Sequence, residues 1–269
     1  MQLEGKVVVV TGGASGIGAA MARRFVAEGT RAMVIADRDE TGARRLAEAI
    51  GAHALPLDVC DGAAMAQAID AIESRHGPID LFCSNAGTTA IGGPELPDAD
   101  WRRVMDVNLM AHVHAARALL PRMLARGGGY FLQTASAAGL LSQFDAPYAV
   151  SKHAAVAFAE WLSISYGDRG IRVSCLCPGA VDTPMLRAEN DTRRELLSAG
   201  LIDADAVADR VVEALAEERF LILTHDFVQQ QVERKAADPQ RWIRGMRRLH
   251  GRANADPGAV AKTAADSSS

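Results

Sequence analysis

The sequence predicts an α/β fold: one doubly wound parallel sheet of about seven strands in a single domain of residues 1–251. Three observations carry this expectation. Short β-branched runs alternate with longer helical patterns along the chain, the signature of a parallel sheet covered on both faces. A chain of 269 residues with 49% hydrophobic composition can bury a sizeable core. A glycine-rich turn follows the very first strand, where open sheets of this kind hold ligands.

The strand "KVVVVT" leads into the helical pattern "GIGAAMARRFVAEG", "RAMVIA" into "ETGARRLAEAIG", and "HALPLDV" into "AAMAQAIDAIESRHG". A fourth strand follows at "IDLFCSNAG", and later strands are expected at "YFLQTA", "RVSCLC" and "FLILT". Long helices are expected from about Trp101 to Arg126 and from about Ala146 to Tyr166. From about residue 225 the chain reads as a charged, helical C-terminal extension. The stretch 252–269, rich in Ala, Ser and Gly, reads as a flexible tail. No repeat of fixed period and no interdomain linker interrupts this order.

Composition excludes several function classes. A net charge of −4 leaves no broad basic surface for nucleic acid. The first apolar run meets glycine after five residues, too short for a membrane span and without the shape of a signal peptide, so no membrane partner and a cytoplasmic location are expected. Four cysteines, Cys60, Cys83, Cys175 and Cys177, lie in apolar stretches without a CxxC or a histidine at ligand spacing. They read as reduced, buried thiols, with neither metal nor disulfide.

The turn "TGGASGIG" spaces Gly12, Gly16 and Gly18 ahead of a helix, with Ser15 and Ile17 between. Glycines there let the backbone approach a pyrophosphate, whose charge meets the helix N-terminal amides. The second strand ends in "VIADRDE", placing Asp37 where a carboxylate accepts hydrogen bonds from a ribose diol. A 2′-phosphate would meet that carboxylate with like charge, which points to NAD. Arg38 supplies the alternative, since its guanidinium would bind a phosphate if Asp37 turned away, giving NADP(H) preference. A plainer reading of Asp37 is a cap for the helix beginning near Glu40.

With "TGGASGIG", "LDV", "SNAG", "MDVN", "TASAAG", "YAVSK" and "CPGAVDTP" in this order, the chain resembles the short-chain dehydrogenase/reductase family over residues 4 to about 224. The resemblance implies a Rossmann-type fold and a nicotinamide-dependent oxidoreductase. It makes Asp58 and Val59 adenine contacts and sets Asn85, Ala86 and Gly87 beside the cofactor's central ribose. It makes Asn108, Ser136, Tyr148 and Lys152 the catalytic four, with Tyr148 and Lys152 also touching cofactor, and Pro178, Gly179, Val181 and Thr183 part of the nicotinamide end. It also assigns Asn108 a bound water that passes protons to Lys152. Two departures stand out. The loop between Ser136 and Tyr148 is one residue shorter than usual, and the segment after Thr224 replaces a glycine-rich ending with "THDFVQQQVERKAADPQRWIRGMRRLH". The second leaves homodimer versus homotetramer open.

The chemistry fits these residue types. Tyr148 serves as base only if its pKa falls toward working pH. Positions four apart share a helix face, so Lys152 lies on its side. A unit charge at about 4 Å through an effective dielectric of about 20 is worth about 4 kcal/mol, enough to lower a phenol pKa by about three. Ser136 would bind the substrate oxygen without titrating. The plainer readings are a half-buried aromatic and a solvated lysine for the pair, a strand-end turn residue for Ser136 and a helix kink for Asn108. His112 and His114 read as packing or surface residues. The expected activity is NAD(H)-dependent interconversion of a secondary alcohol and a ketone. The alternatives are an NADP(H)-dependent carbonyl reductase, an epimerase or dehydratase that returns the hydride, and a non-catalytic nicotinamide-binding sensor. The loops after the fourth to sixth strands offer Ile91, Leu140, Leu141, Phe144, Met185, Leu186, Leu196 and Leu197, suiting a bulky apolar substrate of aromatic, terpenoid or steroid type. Arg187, Arg193 and Arg194 keep an acidic substrate as a second expectation.

Overall fold

A computed structural model describes residues 1–142, 144–189, 191–198 and 200–253. Seven parallel strands form one sheet in the order β3-β2-β1-β4-β5-β6-β7. They are β1 (Val7–Thr11), β2 (Ala32–Asp37), β3 (His53–Pro56), β4 (Leu81–Ser84), β5 (Gly129–Thr134), β6 (Ile171–Cys177) and β7 (Leu221–Leu223). All seven fall on the runs expected from sequence. The strand order reverses direction between β1 and β4, and the crevice outside the strand C-termini opens there.

Strand alternation divides the core between the two faces. Val8, Val10, Ile35, Leu132 and Leu176 pack under α1 (Gly16–Ala27), α2 (Glu40–Ile50) and α9 (Ala204–Ala216). Val7, Val9, Phe82, Phe131 and Val173 face α3 (Gly62–His76), α5 (Ala111–Ala125) and α6 (Ala146–Tyr166). Because neighbouring residues of one strand serve opposite faces, the strands read as continuous apolar runs. Aspartates start the flanking helices: Asp39 accepts from Gly42 N, Asp61 from Ala63 N and Ala64 N, and Asp203 from Ala206 N. The cap of α2 is therefore Asp39, which leaves Asp37 at the rim of the crevice.

The helix expected over Trp101–Arg126 begins earlier, as α4 (Asp98–Met105), and runs through a π-helical turn at Asp106–Met110 into α5. Asn108 sits in that turn. Its amide bonds Thr88 and Ser151, and such an inserted polar contact is what widens a helix locally.

After α7 (Pro184–Arg187), α8 (Asp191–Ser198) and β7, the extension folds as α10 (Asp226–Ala237) and α11 (Pro239–Ala253). Val228, Val232 and Trp242 of this pair close over Ala137, Leu140 and Leu141, and Lys235 Nζ donates to Leu140 O at 2.6 Å. The helix continues through Arg252 and Ala253, where the tail was expected to begin, because Ala253 is itself buried. The rest of that expected tail, 254–269, lies outside the described residues. Among the described residues, no helix is long and apolar enough to cross a membrane, and no group of three His, Cys, Asp or Glu is placed to hold a metal.

Candidate active site

Two adjoining cavities occupy the crevice at the strand C-termini. The first, of about 510 Å³, runs over the glycine turn and is lined by Gly12, Ser15, Gly16, Ile17, Asp37, Arg38, Asp58, Val59, Asn85, Ala86 and Gly87. Its inner end reaches Tyr148, Lys152, Pro178 and Thr183. The second, of about 550 Å³, continues from Tyr148 and Pro178 past Ser136, Gly179, Val181 and Thr183. Gly18 and Asn108 stand behind these walls. The structure thus brings the sequence-selected residues into one cleft or directly beneath it.

The first cavity fits a dinucleotide. Gly12 has φ +63°, and a Cβ there would lie 2.7 Å from Ala86 Cα; one on Gly18 would lie 2.2 Å from Gly12 O. Side chains at these two positions would break the turn, so the backbone itself forms the cradle. Ser15 precedes α1 without capping it through its side chain, which leaves first-turn amides for an anion. At the far rim the Asp37 carboxylate is fixed by Ala14 N and Asp39 N, each at 2.9 Å. Thr11, which sequence reading passed over, organises the floor. Its hydroxyl accepts from Asn85 N (2.9 Å) and Ala86 N (3.2 Å), and Asn85 Nδ2 donates back to Thr11 O (3.1 Å).

At the inner end, Lys152 is 3% exposed and Nζ donates to Thr134 O at 2.9 Å. Burial lowers its pKa to about 8. The Tyr148 phenol is raised above its ordinary value by burial, with a hydrogen bond to Ser136 working the other way. The lowering of Tyr148 by Lys152 expected from sequence is therefore not in place in the protein alone. The ammonium is 5.7 Å from the ring centroid and tied to a carbonyl, and burial weakens its own charge. Asn108 is completely buried. Both its amide hydrogens are spent, on Thr88 O and Ser151 Oγ at 2.9 Å each, while Oδ1 accepts from Thr88 N at 2.8 Å. Its side chain consequently joins the end of β4 to α6.

The second cavity corrects part of the expected substrate lining. Phe144, Met185, Leu186 and Leu196 line it. Leu141 is 1% exposed beneath α10 and α11, with Leu140 packed beside it, and Ile91 is 54% exposed outside the lining. The side chains of Leu197 and Arg193 lie outside the described residues. Arg187 is engaged by Asp182 through two bonds of 2.8 and 2.9 Å, and Arg194 reaches Arg187 O. Phe227, Gln231 and Leu249 of the extension complete the wall. Gln231 follows Phe227 by four, Val232 follows Val228 by four and Leu249 follows Met246 by three, and this helical spacing was the signal that could have placed the extension here. Of the cysteines, Cys83, Cys175 and Cys177 are buried as expected, whereas Cys60 is half-buried and borders the first cavity.

A glycine cradle at the switch point of a parallel sheet, a rim carboxylate, and a Tyr–Lys–Ser cluster at the inner end define a nicotinamide-dependent oxidoreductase of the Rossmann type. Comparison with known proteins gives its family. The model described as short chain dehydrogenase matches residues 6–194. The 1-deoxy-11-beta-hydroxypentalenate dehydrogenase of Streptomyces avermitilis is 40% identical over 235 residues, covering 84% of this chain and 86% of that protein. The mitochondrial borneol dehydrogenase of Lavandula x intermedia is 31% identical over 237 residues, with 84% and 90% covered. A solved short chain dehydrogenase/reductase from Burkholderia phymatum in complex with NAD superposes with a TM-score of 0.82 at 32% identity, covering 89% of this chain and 96% of that one. The chain belongs to the short-chain dehydrogenase family, and it is an oxidoreductase of the alcohol dehydrogenase type that uses a nicotinamide cofactor.

Proposed function

We propose that this enzyme is an NAD(H)-dependent dehydrogenase of a bulky, apolar secondary alcohol of terpenoid-like shape. The observation that carries the reading is the second cavity, whose wall of Phe144, Met185, Leu186, Leu196, Phe227 and Leu249 meets Tyr148 and Ser136 at one end. An apolar wall with a few convergent polar groups holds an apolar body and orients one oxygen. The relatives named for pentalenate and borneol dehydrogenation support that substrate class. The pairing of Arg187 with Asp182 engages one of the three guanidinia that an acidic substrate would use.

Tyr148, as its phenolate, takes the hydroxyl proton of the alcohol and becomes the neutral phenol while a hydride leaves the carbinol carbon to give the ketone, and Ser136 holds the same oxygen. Bound oxidised nicotinamide supplies the hydride acceptor and a positive charge beside the phenol. Lys152 lies below Tyr148 within reach of the cofactor cleft, and Asn108 is a positioning residue that fixes α6 against the end of β4. Pro178, Gly179, Val181 and Thr183 frame the nicotinamide end. Asp37 favours NAD over NADP by like-charge repulsion of a 2′-phosphate, and the solved NAD complex of a relative supports this. Asp58 and Val59 take the adenine side.

The test is a panel of secondary alcohols run with NAD and NADP in parallel and followed by reduced-nicotinamide absorbance. A bicyclic apolar alcohol should exceed a short hydroxy acid in kcat/KM by at least about tenfold, or about 1.4 kcal/mol of transition-state binding. Preference for the hydroxy acid, or faster turnover with NADP at equal low concentration, would overturn the respective half of the reading. We propose the cytoplasm as its location, and a symmetric oligomer, dimer or tetramer, as its state. Val150, Trp161 and Ile164 are 50%, 54% and 77% exposed on one side of α6, an apolar stripe of the kind that pairs across a two-fold axis. Light scattering at micromolar concentration should give at least the dimer mass; a monomer would refute this.

A further inference from the structure

The segment from Pro178 to Gly200 carries Met185, Leu186 and Leu196 over the second cavity, and both its ends meet one imidazole. We infer that His225 is the pin that fixes this segment over the substrate, a positioning residue lying outside both cavities. At the first end, Gly179 N donates to His225 Nδ1 at 3.2 Å and lies 3.4 Å from Thr224 Oγ1. At the other, His225 Nε2 lies 2.6 Å from Gly200 O. A carbonyl only accepts, so Nε2 carries the hydrogen and Nδ1 offers its lone pair. That same tautomer receives Gly179 N–H, and it receives the Thr224 hydroxyl at 2.7 Å. One neutral form thus satisfies all the contacts.

The packing leaves little slack. His225 is 6% exposed. A Cβ on Gly179 would lie 2.8 Å from Nδ1, and one on Gly200 would lie 3.1 Å from Phe227 Cε1. Phe227 stands edge-on to the imidazole at 5.3 Å and itself lines the cavity. Beside the ring, the segment's neck is closed by the bridge between Val181 and Ile202, with Asp182 N donating to Ile202 O at 2.9 Å. The bridge sets the register of the two ends. The imidazole sets their distance from α10, and so the distance of Met185, Leu186 and Leu196 from Phe227 across the cavity. A ring without nitrogens would keep the volume and release both ends.

The experiment compares wild type, His225→Phe and His225→Asn on a bicyclic secondary alcohol and on a small one such as 2-propanol. NADH titration reports the cofactor cleft, and limited trypsin cleavage at Arg187, Arg193 and Arg194 reports the segment. His225→Phe should raise KM for the bulky alcohol at least about tenfold with kcat within about threefold, and leave kcat/KM for the small alcohol and NADH affinity within about twofold. Cleavage in the segment should quicken. His225→Asn, whose carboxamide oxygen can take the Nδ1 place toward Gly179, should fall between. Unchanged KM and unchanged cleavage, or equal losses on both alcohols, would overturn the inference. If His225→Phe does not fold, His225→Asn carries the test: it should show the same KM split and quickened cleavage in smaller measure, and the absence of both in that variant would overturn the inference. The kinetic arm rests on the proposed substrate class, which fails visibly if wild type does not favour the bulky alcohol. The trypsin arm needs no substrate.

Discussion

At Tyr148, burial raises the phenol while the neighbouring Ser136 hydroxyl lowers it, and Lys152, lowered to about 8, is tied to Thr134 O. Replacing Tyr148 by Phe removes the phenolic oxygen and leaves the ring, Lys152 and the glycine cradle intact. General acid–base catalysis is worth about 10²–10⁴-fold, so turnover should fall at least about a hundredfold while NADH affinity stays within about twofold. Residual activity near wild type, in a steady-state assay at saturating cofactor, would remove Tyr148 from the proposed mechanism. The type and spacing of these residues were legible in the sequence because a helix puts positions four apart on one side. Their protonation was not, because burial and the Thr134 carbonyl are brought beside the pair by the tertiary packing of β5 and α6, which no local pattern states.

On the scale of elements, all seven strands and the glycine turn were legible, since a strand buried on both faces is a continuous apolar run and each turn is local. The extension was legible as helical and charged, but its destination was not. Leu140 and Leu141 read as substrate contacts until α10 and α11 were seen to cover them, because no local pattern tells which apolar surface a helix will meet. Trp242 is part of that cover and is half-buried. Trp242→Ala should cost about 2 kcal/mol, below the about 3–5 kcal/mol of a fully buried aromatic truncation. A loss of that size lowers Tm by about 5 °C in a chain of this class. Because Phe227, Gln231 and Leu249 hang from the same helix pair, KM for the bulky alcohol should also rise. Calorimetry and kinetics on the one variant check both. A lowered Tm with unchanged KM would show that the pair is a brace and not a wall.

For the molecule as a whole, the sheet buries a polar patch around His112, which the sequence reads as a packing or surface residue. Ser84, Gln133 and Cys175 are register neighbours on β4, β5 and β6, and His112 of α5 lies over them with Nδ1 3.3 Å from Gln133 Oε1. His112 Nε2, Gln133 Nε2 and Ser84 Oγ have no hydrogen-bond partner among the described residues, a concentration of orphan polar atoms that makes this the costly part of the core. Burial, helped by the charge of Lys152, lowers the His112 pKa from 6.5 to about 3. The sign follows from linkage. Above pH 6.5 neither state binds a proton at His112. Between pH 6.5 and about 3 the unfolded chain binds one and the folded chain does not, so stability falls as pH drops through that window. The loss is on the order of 4 kcal/mol by the low end of it. His112→Asn keeps a hydrogen-bonding amide but removes the titration, and the carboxylates common to both proteins cancel in the comparison. Urea unfolding of wild type and variant at several pH values from 7 to 4 should therefore give curves that converge as the pH falls, the variant having the shallower dependence. Parallel curves would show that His112 is protonated without cost in the folded state, and that this part of the core is wetter than its burial indicates.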